Sequence, residues 1–86
     1  MYKIVYTSQA QEDVKKLSQS GLKKNAIKIL KIIKEDPFQK SPTFEKILGD
    51  LAGAYSRRIN IQHRIVYQVF EKGKIVKIIR IWTHYK

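Results

Sequence analysis

Residues 63–85 read HRIVYQVFEKGKIVKIIRIWTHY, and this stretch decides the fold. Two runs rich in β-branched and aromatic residues, 63–70 and 74–85, flank Glu71-Lys72-Gly73. They predict two antiparallel strands joined by a tight turn. A strand that stays apolar and aromatic almost to its end is expected to be held in a sheet, so its polar side chains, His84 among them, are held as well.

The second of these strands is expected to alternate strictly between the two faces of the sheet. One face would then carry Ile79, Ile81, Thr83 and Tyr85, and the other Ile78, Arg80, Trp82 and His84. The alternation therefore predicts that the histidine shares a face with an arginine and an indole.

The rest of the chain predicts a strand and two helices before this hairpin, and one more strand leading into it. Residues 2–7 suit a strand, and residues 22–35 repeat apolar side chains at helical spacing. Residues 55–61 suit a strand, whereas residues 44–48 fit either a short strand or one helical turn. The order β-α-α-β-β-β predicts an α+β fold, with two helices in the N-terminal half packed on a mostly antiparallel four-stranded sheet.

The first helix is expected to begin at Ser8, where Ser8-Gln9-Ala10-Gln11 fits a capping box. Its apolar face would consist of Ala10, Val14 and Leu17. Gly21 would then allow the left-handed turn that ends the helix.

Composition indicates one small, strongly basic domain covering residues 1–86. The 18 Lys and Arg against 7 Asp and Glu give a net charge of +11, and there is no cysteine to form a disulfide or a thiolate metal site. Such a charge predicts attraction to a polyanion, nucleic acid first, or to an acidic protein. A basic surface that serves only solubility is the alternative.

The chain shows no sign of a membrane segment or a secretion signal. Its first apolar run, within residues 1–6, is too short for a signal peptide. No run approaches the roughly 20 apolar residues that a membrane span needs. We therefore expect a cytoplasmic protein that does not associate with membranes.

The arginines are concentrated in the second half of the chain, whereas lysine is the only basic residue type in the predicted helices. A planar guanidinium binds phosphate through two parallel hydrogen bonds, which a lysine cannot do. Alternation places Arg58 with Ser56 and Asn60, and Arg57 with Tyr55 and Ile59. Arg64 falls on a largely apolar face, which suits either the edge of a cleft or a structural salt bridge.

No cofactor is expected from the sequence. His63 and His84 are not accompanied by a cluster of metal ligands, and no glycine-rich phosphate loop is present. An enzyme that acts on a phosphate ester would then rely on an acid, a base and arginine. RNA suits such a site because its 2′-hydroxyl is an internal nucleophile beside the scissile phosphate.

Three motifs together resemble one family. They are Ser56-Arg57-Arg58-Ile59 within residues 51–59, His63-Arg64-Ile65-Val66-Tyr67, and the terminal His84-Tyr85. They are similar to those of the Txe/YoeB toxins of bacterial toxin–antitoxin modules, within the RelE/ParE superfamily, and the resemblance covers nearly the whole chain.

The resemblance implies a RelE-like, microbial-RNase-like fold and a ribosome-dependent endoribonuclease, an mRNA interferase that cuts mRNA in the ribosomal A site and inhibits translation. It further implies an acidic cognate antitoxin, YefM/Axe-like, bound in a heterotrimer or a heterotetramer. The ribosome and mRNA are the other expected partners.

The resemblance also implies roles for individual residues. By position, Glu45 matches the general base, Arg64 the phosphate-stabilising cation, His84 the general acid and Tyr85 the residue that positions the substrate. The residues expected to contact RNA are Lys46, Arg57 and Arg58. The family often has proline after the glutamate and lysine two residues later, whereas this chain has Lys46-Ile47-Leu48. Whether Lys46 replaces that lysine stays open.

Two other functions remain as alternatives. A ParE-type inhibitor of DNA gyrase would share the fold without nuclease activity, but gyrase binding gives no reason to combine Glu45, Arg64 and His84. A plain RNA-binding module would explain the charge of +11 but not the terminal His-Tyr. For single residues the alternatives are a solvated carboxylate at Glu45, a structural histidine at His84 and a packed aromatic ring at Tyr85.

Overall fold

The computed structural model describes residues 1–19, 21–40, 44–46, 53–60 and 63–83. In chain order the elements are β1 (Lys3–Tyr6), α1 (Ser8–Ser18), α2 (Lys23–Glu35), β2 (Phe44–Lys46), β3 (Ala54–Arg58), β4 (Arg64–Phe70) and β5 (Ile75–Thr83). The strands form a five-stranded sheet in the order β1-β5-β4-β3-β2, in which only the β1–β5 pair among these described strands is parallel. The predicted α+β fold is confirmed, with five strands in place of four.

The additional strand is β2, within the segment that the sequence left undecided. Phe44 pairs with Arg57 and Lys46 with Tyr55, in antiparallel register with β3. Three residues are too few to show a period along the sequence, so pairing with a neighbouring strand decides their conformation.

Helix α1 begins at Ser8 as predicted, but its N-cap differs from the predicted capping box. Thr7, not Ser8, is the N-cap, because its Oγ1 accepts a hydrogen bond of 3.0 Å from the Ala10 amide. The prediction was wrong because the backbone N–H of Thr7 still pairs with the Ile78 carbonyl, so the strand runs directly into the cap. The inner face of α1 also differs, since Val14 is 39% exposed while Asp13 is fully buried.

Both helices pack on one face of the sheet. The core cluster consists of Ala10, Leu17, Ala26, Ile29, Ile33, Ile59, Ile65, Tyr67, Val76, Ile78 and Ile81. The predicted apolar stripe of α2 is confirmed at Ala26, Ile29 and Ile33. The other sheet face carries the candidate site described below. No helix among the described residues is long and apolar enough to cross a lipid bilayer.

Strict alternation along β5 is not observed. Ile78 and Ile81 both lie in the core cluster, although alternation places them on opposite faces. The reason is two irregularities in the β4–β5 register, between Arg64 and Val66 and between Val66 and Tyr67. A β-bulge adds a residue to one strand and so changes which side chains face the core.

The turn that joins β4 to β5 is confirmed. The Lys74 amide donates a hydrogen bond of 3.1 Å to the Glu71 carbonyl. Gly73 has φ of +87° and Lys74 has φ of +51°. A left-handed backbone at this point suits glycine and explains why a single Gly73 suffices to reverse the chain.

Candidate active site

Three strands bring a carboxylate, a hydroxyl and a guanidinium together on the sheet face opposite the two described helices. This face is called the open face below. Glu45 on β2 is paired in register with Ser56 on β3. Arg64 on β4 extends across them, with its Nη1 3.3 Å from Glu45 Oε2 and 3.4 Å from Ser56 Oγ. The predicted base and cation are therefore neighbours, although 19 residues separate them along the chain.

The guanidinium of Arg64 uses only part of its hydrogen-bonding capacity among the described residues. Its side chain is 17% exposed, whereas that of Glu45 is 59% exposed. The Arg64 Nε is buried and has no hydrogen-bond partner among the described residues. A buried donor without an acceptor costs about 1–3 kcal/mol, so the guanidinium retains capacity to bind an acceptor oxygen.

The Glu45–Arg64 ion pair also fits the structural salt bridge that the sequence left open, but its energy is small. With Glu45 more than half exposed, such a pair contributes about 0–1 kcal/mol to stability. A phosphate group can displace it at little cost. The same two side chains can then separate their tasks, the carboxylate accepting a proton and the guanidinium holding phosphate oxygens.

Arg58 adds a second cation beside this pair. It is exposed at the end of β3, directly opposite Arg64 in the β3–β4 register. Like charges directly opposite each other destabilise a sheet. Two guanidinium groups in this arrangement favour an anion between them. Contact of Arg58 with RNA stays a prediction.

Arg57 does not lie at this site, and its burial does not fit the predicted role in RNA binding. Its side chain is 1% exposed. The Nη2 donates to the carbonyls of Pro37 (3.1 Å) and Gln39 (2.6 Å), and the Nε donates to the Tyr67 hydroxyl (3.1 Å). The guanidinium also lies 4.9 Å from the centre of the Phe44 ring. Alternation with Tyr55 was the sequence signal for this inward direction.

Tyr67 completes the buried arginine cluster. Its hydroxyl accepts from Arg57 and donates a hydrogen bond of 2.8 Å to the Pro37 carbonyl. Burial raises the pKa of the Tyr67 phenol above its ordinary value, and the charge of Arg57 offsets part of that rise. The phenol therefore remains the neutral donor that the carbonyl requires.

Lys46 is not brought to the pair formed by Glu45 and Arg64. It is exposed and follows Glu45 directly in β2, so the two side chains point to opposite faces. Its contact with RNA stays a prediction, on a different side of the sheet from Arg64.

His84 and Tyr85 lie outside the described residues, so their predicted roles are not tested. Thr83, the last described residue, is paired with Arg64.

Ser56 is the site residue that the sequence analysis did not select. It is 4% exposed, it pairs in register with Glu45, and its Oγ lies 3.4 Å from Arg64 Nη1. The signal was its alternation with Arg58 on the polar side of one strand. In the part of the chain that the structure describes, no three His, Cys, Asp or Glu side chains come together as a metal site requires.

Comparison with known proteins places this chain in a family. Residues 6–85 match the sequence profile of the YoeB-like toxins of bacterial type II toxin–antitoxin systems. Toxin YoeB of Streptomyces coelicolor is 37% identical over 68 residues, which cover 77% of this chain and 81% of that protein.

Solved structures agree with the sequence comparison. A YoeB/ParE toxin from Agrobacterium tumefaciens has a TM-score of 0.87 at 29% identity, covering 96% of this chain and 99% of that chain. The YoeB–YefM complex from Staphylococcus aureus has a TM-score of 0.81 at 34% identity, with 99% of each chain covered. This chain therefore belongs to the YoeB-like toxins of bacterial type II toxin–antitoxin systems.

Proposed function

We propose that this toxin is a ribosome-dependent endoribonuclease that cuts mRNA in the ribosomal A site and thereby inhibits translation. The observation that carries the proposal is the convergence of Glu45 and Arg64 on the open sheet face, with Nη1 and Oε2 3.3 Å apart. A base and a cation in contact, beside the exposed Arg58, match what RNA cleavage by the 2′-hydroxyl needs.

The proposed reaction is a transesterification that needs no metal. Glu45 takes the proton of the 2′-hydroxyl, and the 2′-oxygen attacks the adjacent phosphorus. Arg64 stabilises the charge of the phosphorane with its guanidinium. His84 protonates the departing 5′-oxygen, which leaves a 2′,3′-cyclic phosphate on one fragment and a 5′-hydroxyl on the other. Tyr85 positions the substrate.

We also propose that the partner of this chain is an acidic antitoxin, in a heterotrimer or a heterotetramer. The S. aureus YoeB was solved in complex with YefM, in a heterotetramer. The net charge of +11 favours an acidic partner.

A groove of about 700 Å³ between β1 and α2 supports this partner. Apolar side chains of Ile4, Tyr6, Ile27 and Leu30 line it, together with Lys3, Lys31 and Lys34. An amphipathic segment with carboxylates along its edges would complement both the apolar floor and the lysines. Ribosome binding implies a cytoplasmic location.

Primer extension on an mRNA translated in vitro tests the proposed activity. The wild-type chain should produce cuts that disappear when ribosomes are omitted. Glu45→Gln removes the base and should slow cleavage by about 10²–10⁴-fold. The matched control is Glu35→Gln, an exposed glutamate at the end of α2, and it should leave the rate unchanged.

Supercoiling by purified DNA gyrase is measured in parallel. Inhibition of gyrase without any cut in the mRNA would replace the nuclease by the ParE-type function. Full cleavage by the Glu45→Gln variant would remove Glu45 from the mechanism but keep the nuclease.

A further inference from the structure

Strand β5 contains two extra residues relative to its partner β4, both near its C-terminal end. Tyr67 pairs with Ile78, Val66 with Arg80 and Arg64 with Thr83. Three steps along β4 are thus matched by five steps along β5. The extra residues lie at Ile79 and in the pair 81–82, and each leaves backbone groups outside the β4–β5 ladder.

Thr7 supplies the hydrogen-bond donor for the backbone carbonyl at the first bulge. Its Oγ1 donates a hydrogen bond of 2.8 Å to the carbonyl of Ile79, the residue left without a β4 partner. The same oxygen accepts from the Ala10 amide at 3.0 Å. One hydroxyl therefore joins the start of α1 to the bulge, and it uses both its donor and an acceptor site to do so.

Asp13 supplies the hydrogen-bond acceptor for the backbone amide at the second bulge. Its Oδ2 accepts a hydrogen bond of 3.0 Å from the Ile81 amide and one of 2.9 Å from Arg80 Nε. The carboxylate is fully buried on the inner face of α1. Buried carboxylates occur in proteins where charged or polar donors hold them. Here both donors to Oδ2 belong to the bulged strand, and Gln9 Nε2 of α1 donates to Oδ1 at 3.2 Å.

The bulges change which residue lies beside the candidate site. If β5 kept the register of its first half, Ile81 would lie opposite Arg64. With the two extra residues, Thr83 occupies that place instead. Relative to a β5 strand without bulges, Thr83 is thus displaced by two residues, about 6–7 Å along the strand. That displacement is as large as the distance between neighbouring groups in an active site.

We propose that Thr7 and Asp13 are positioning residues, which stabilise the two bulges and so hold the C-terminal end of β5 at Arg64. The consequence for catalysis rests on the proposed function, because it concerns His84 and Tyr85, which follow Thr83. The register itself does not depend on that function.

NMR of the free protein tests the register without any assay of activity. In Thr7→Val combined with Asp13→Asn, hydrogen exchange of the Ile81 amide should become roughly tenfold faster or more. The cross-strand contact between Arg64 and Thr83 should weaken. The Phe70–Ile75 pair near the turn should keep its contact and serves as the internal control.

If the double variant does not fold, the same measurements are made on Thr7→Val and Asp13→Asn separately. Thr7→Ser keeps the hydroxyl and should restore the wild-type exchange rate, and Ser8→Ala removes a neighbouring exposed hydroxyl as a matched control. An unchanged Arg64–Thr83 contact with unchanged exchange at Ile81 would overturn the proposal.

Cleavage kinetics then test the positioning role. In Thr7→Val and Asp13→Asn, kcat should fall at least tenfold while KM stays within twofold, because RNA contacts Arg58 and Arg64 as before. A shifted register with unchanged kcat would overturn the link to catalysis. Absence of cleavage by the wild-type chain would refute the proposed function alone, since the NMR result is independent of it.

Discussion

On the helix-covered face of the sheet, the guanidinium of Arg57 is bound by two carbonyls and the Tyr67 hydroxyl and is 1% exposed. On the open face, Arg64 on the neighbouring strand contacts the exposed Glu45 and the hydroxyl of Ser56, and its Nε has no partner among the described residues. Both are arginines in adjacent strands of one sheet. They differ in how much of their hydrogen-bonding capacity the fold already uses.

The difference separates stability from binding. The partners of Arg57 hold the segment around Pro37, the ring of Phe44 and strand β4 together. Phe44 precedes Glu45 in β2, so this cluster also supports the strand that carries the candidate base. The Glu45–Arg64 ion pair contributes little to stability, so Arg64 can exchange this contact for one with a ligand.

The largest expected effect is on activity, from a change on the open face. Arg64→Ala should lower cleavage of ribosome-bound mRNA by about 10²–10³-fold, because a preorganised donor to the phosphorane is lost. Its urea midpoint should stay close to that of the wild type. Primer extension and urea unfolding measure the two quantities on the same preparation.

Retained cleavage in the Arg64→Ala variant would remove the contrast between the two arginines. A variant that loses activity together with its folded structure would place Arg64 with Arg57 as a structural residue. Arg64→Lys is the intermediate case, since it keeps the charge but loses the planar fork.

The second effect is on stability, from a change on the covered face. Arg57→Met should lower the free energy of unfolding by about 2–4 kcal/mol, because buried carbonyls and a phenol lose their donor. Urea unfolding monitored by circular dichroism gives the value. The neighbouring Arg58→Met is the matched control, and it should change stability by about 0.5 kcal/mol or less. Equal losses in both variants would show that burial of Arg57 does not distinguish the faces.

The smallest effect is a dependence on alkaline pH. Burial raises the folded-state pKa of Tyr67 above its ordinary value, so the folded protein keeps a proton that the unfolded chain releases near pH 10. This contribution to stability is complete below about pH 10 and is lost as pH rises through the folded-state pKa.

Tyr67→Phe removes that contribution, so its free energy of unfolding should fall less steeply above pH 10 than that of the wild type. Urea unfolding between about pH 9 and 11 measures the two slopes. Tyr6→Phe measures the share of the slope that comes from another tyrosine whose pKa is raised by burial. Parallel slopes for wild type and Tyr67→Phe would contradict the assignment.

Much of the site could be predicted, but only in part from the residues themselves. Alternation placed Arg58 with the polar side chains of β3, whereas it placed Arg64 on a largely apolar face and left a cleft edge and a salt bridge both open. The choice of Glu45 and Arg64 as residues of one site rested on family resemblance, because the undecided segment 44–48 gave no face for Glu45. Arg57 was assigned to RNA although its alternation with Tyr55 already indicated the covered face.

The sequence by itself determined the features that depend on near neighbours along the chain. The apolar stripe of α2, the hairpin with its turn at Gly73 and the α+β class follow from periodicity and turn residues. Only the tertiary structure decided the cap at Thr7, the burial of Asp13 and the bulges of β5. Asp13 binds the amide of Ile81 across 68 positions of sequence. Such a contact exists only after the sheet and helix have packed, so no local pattern encodes it.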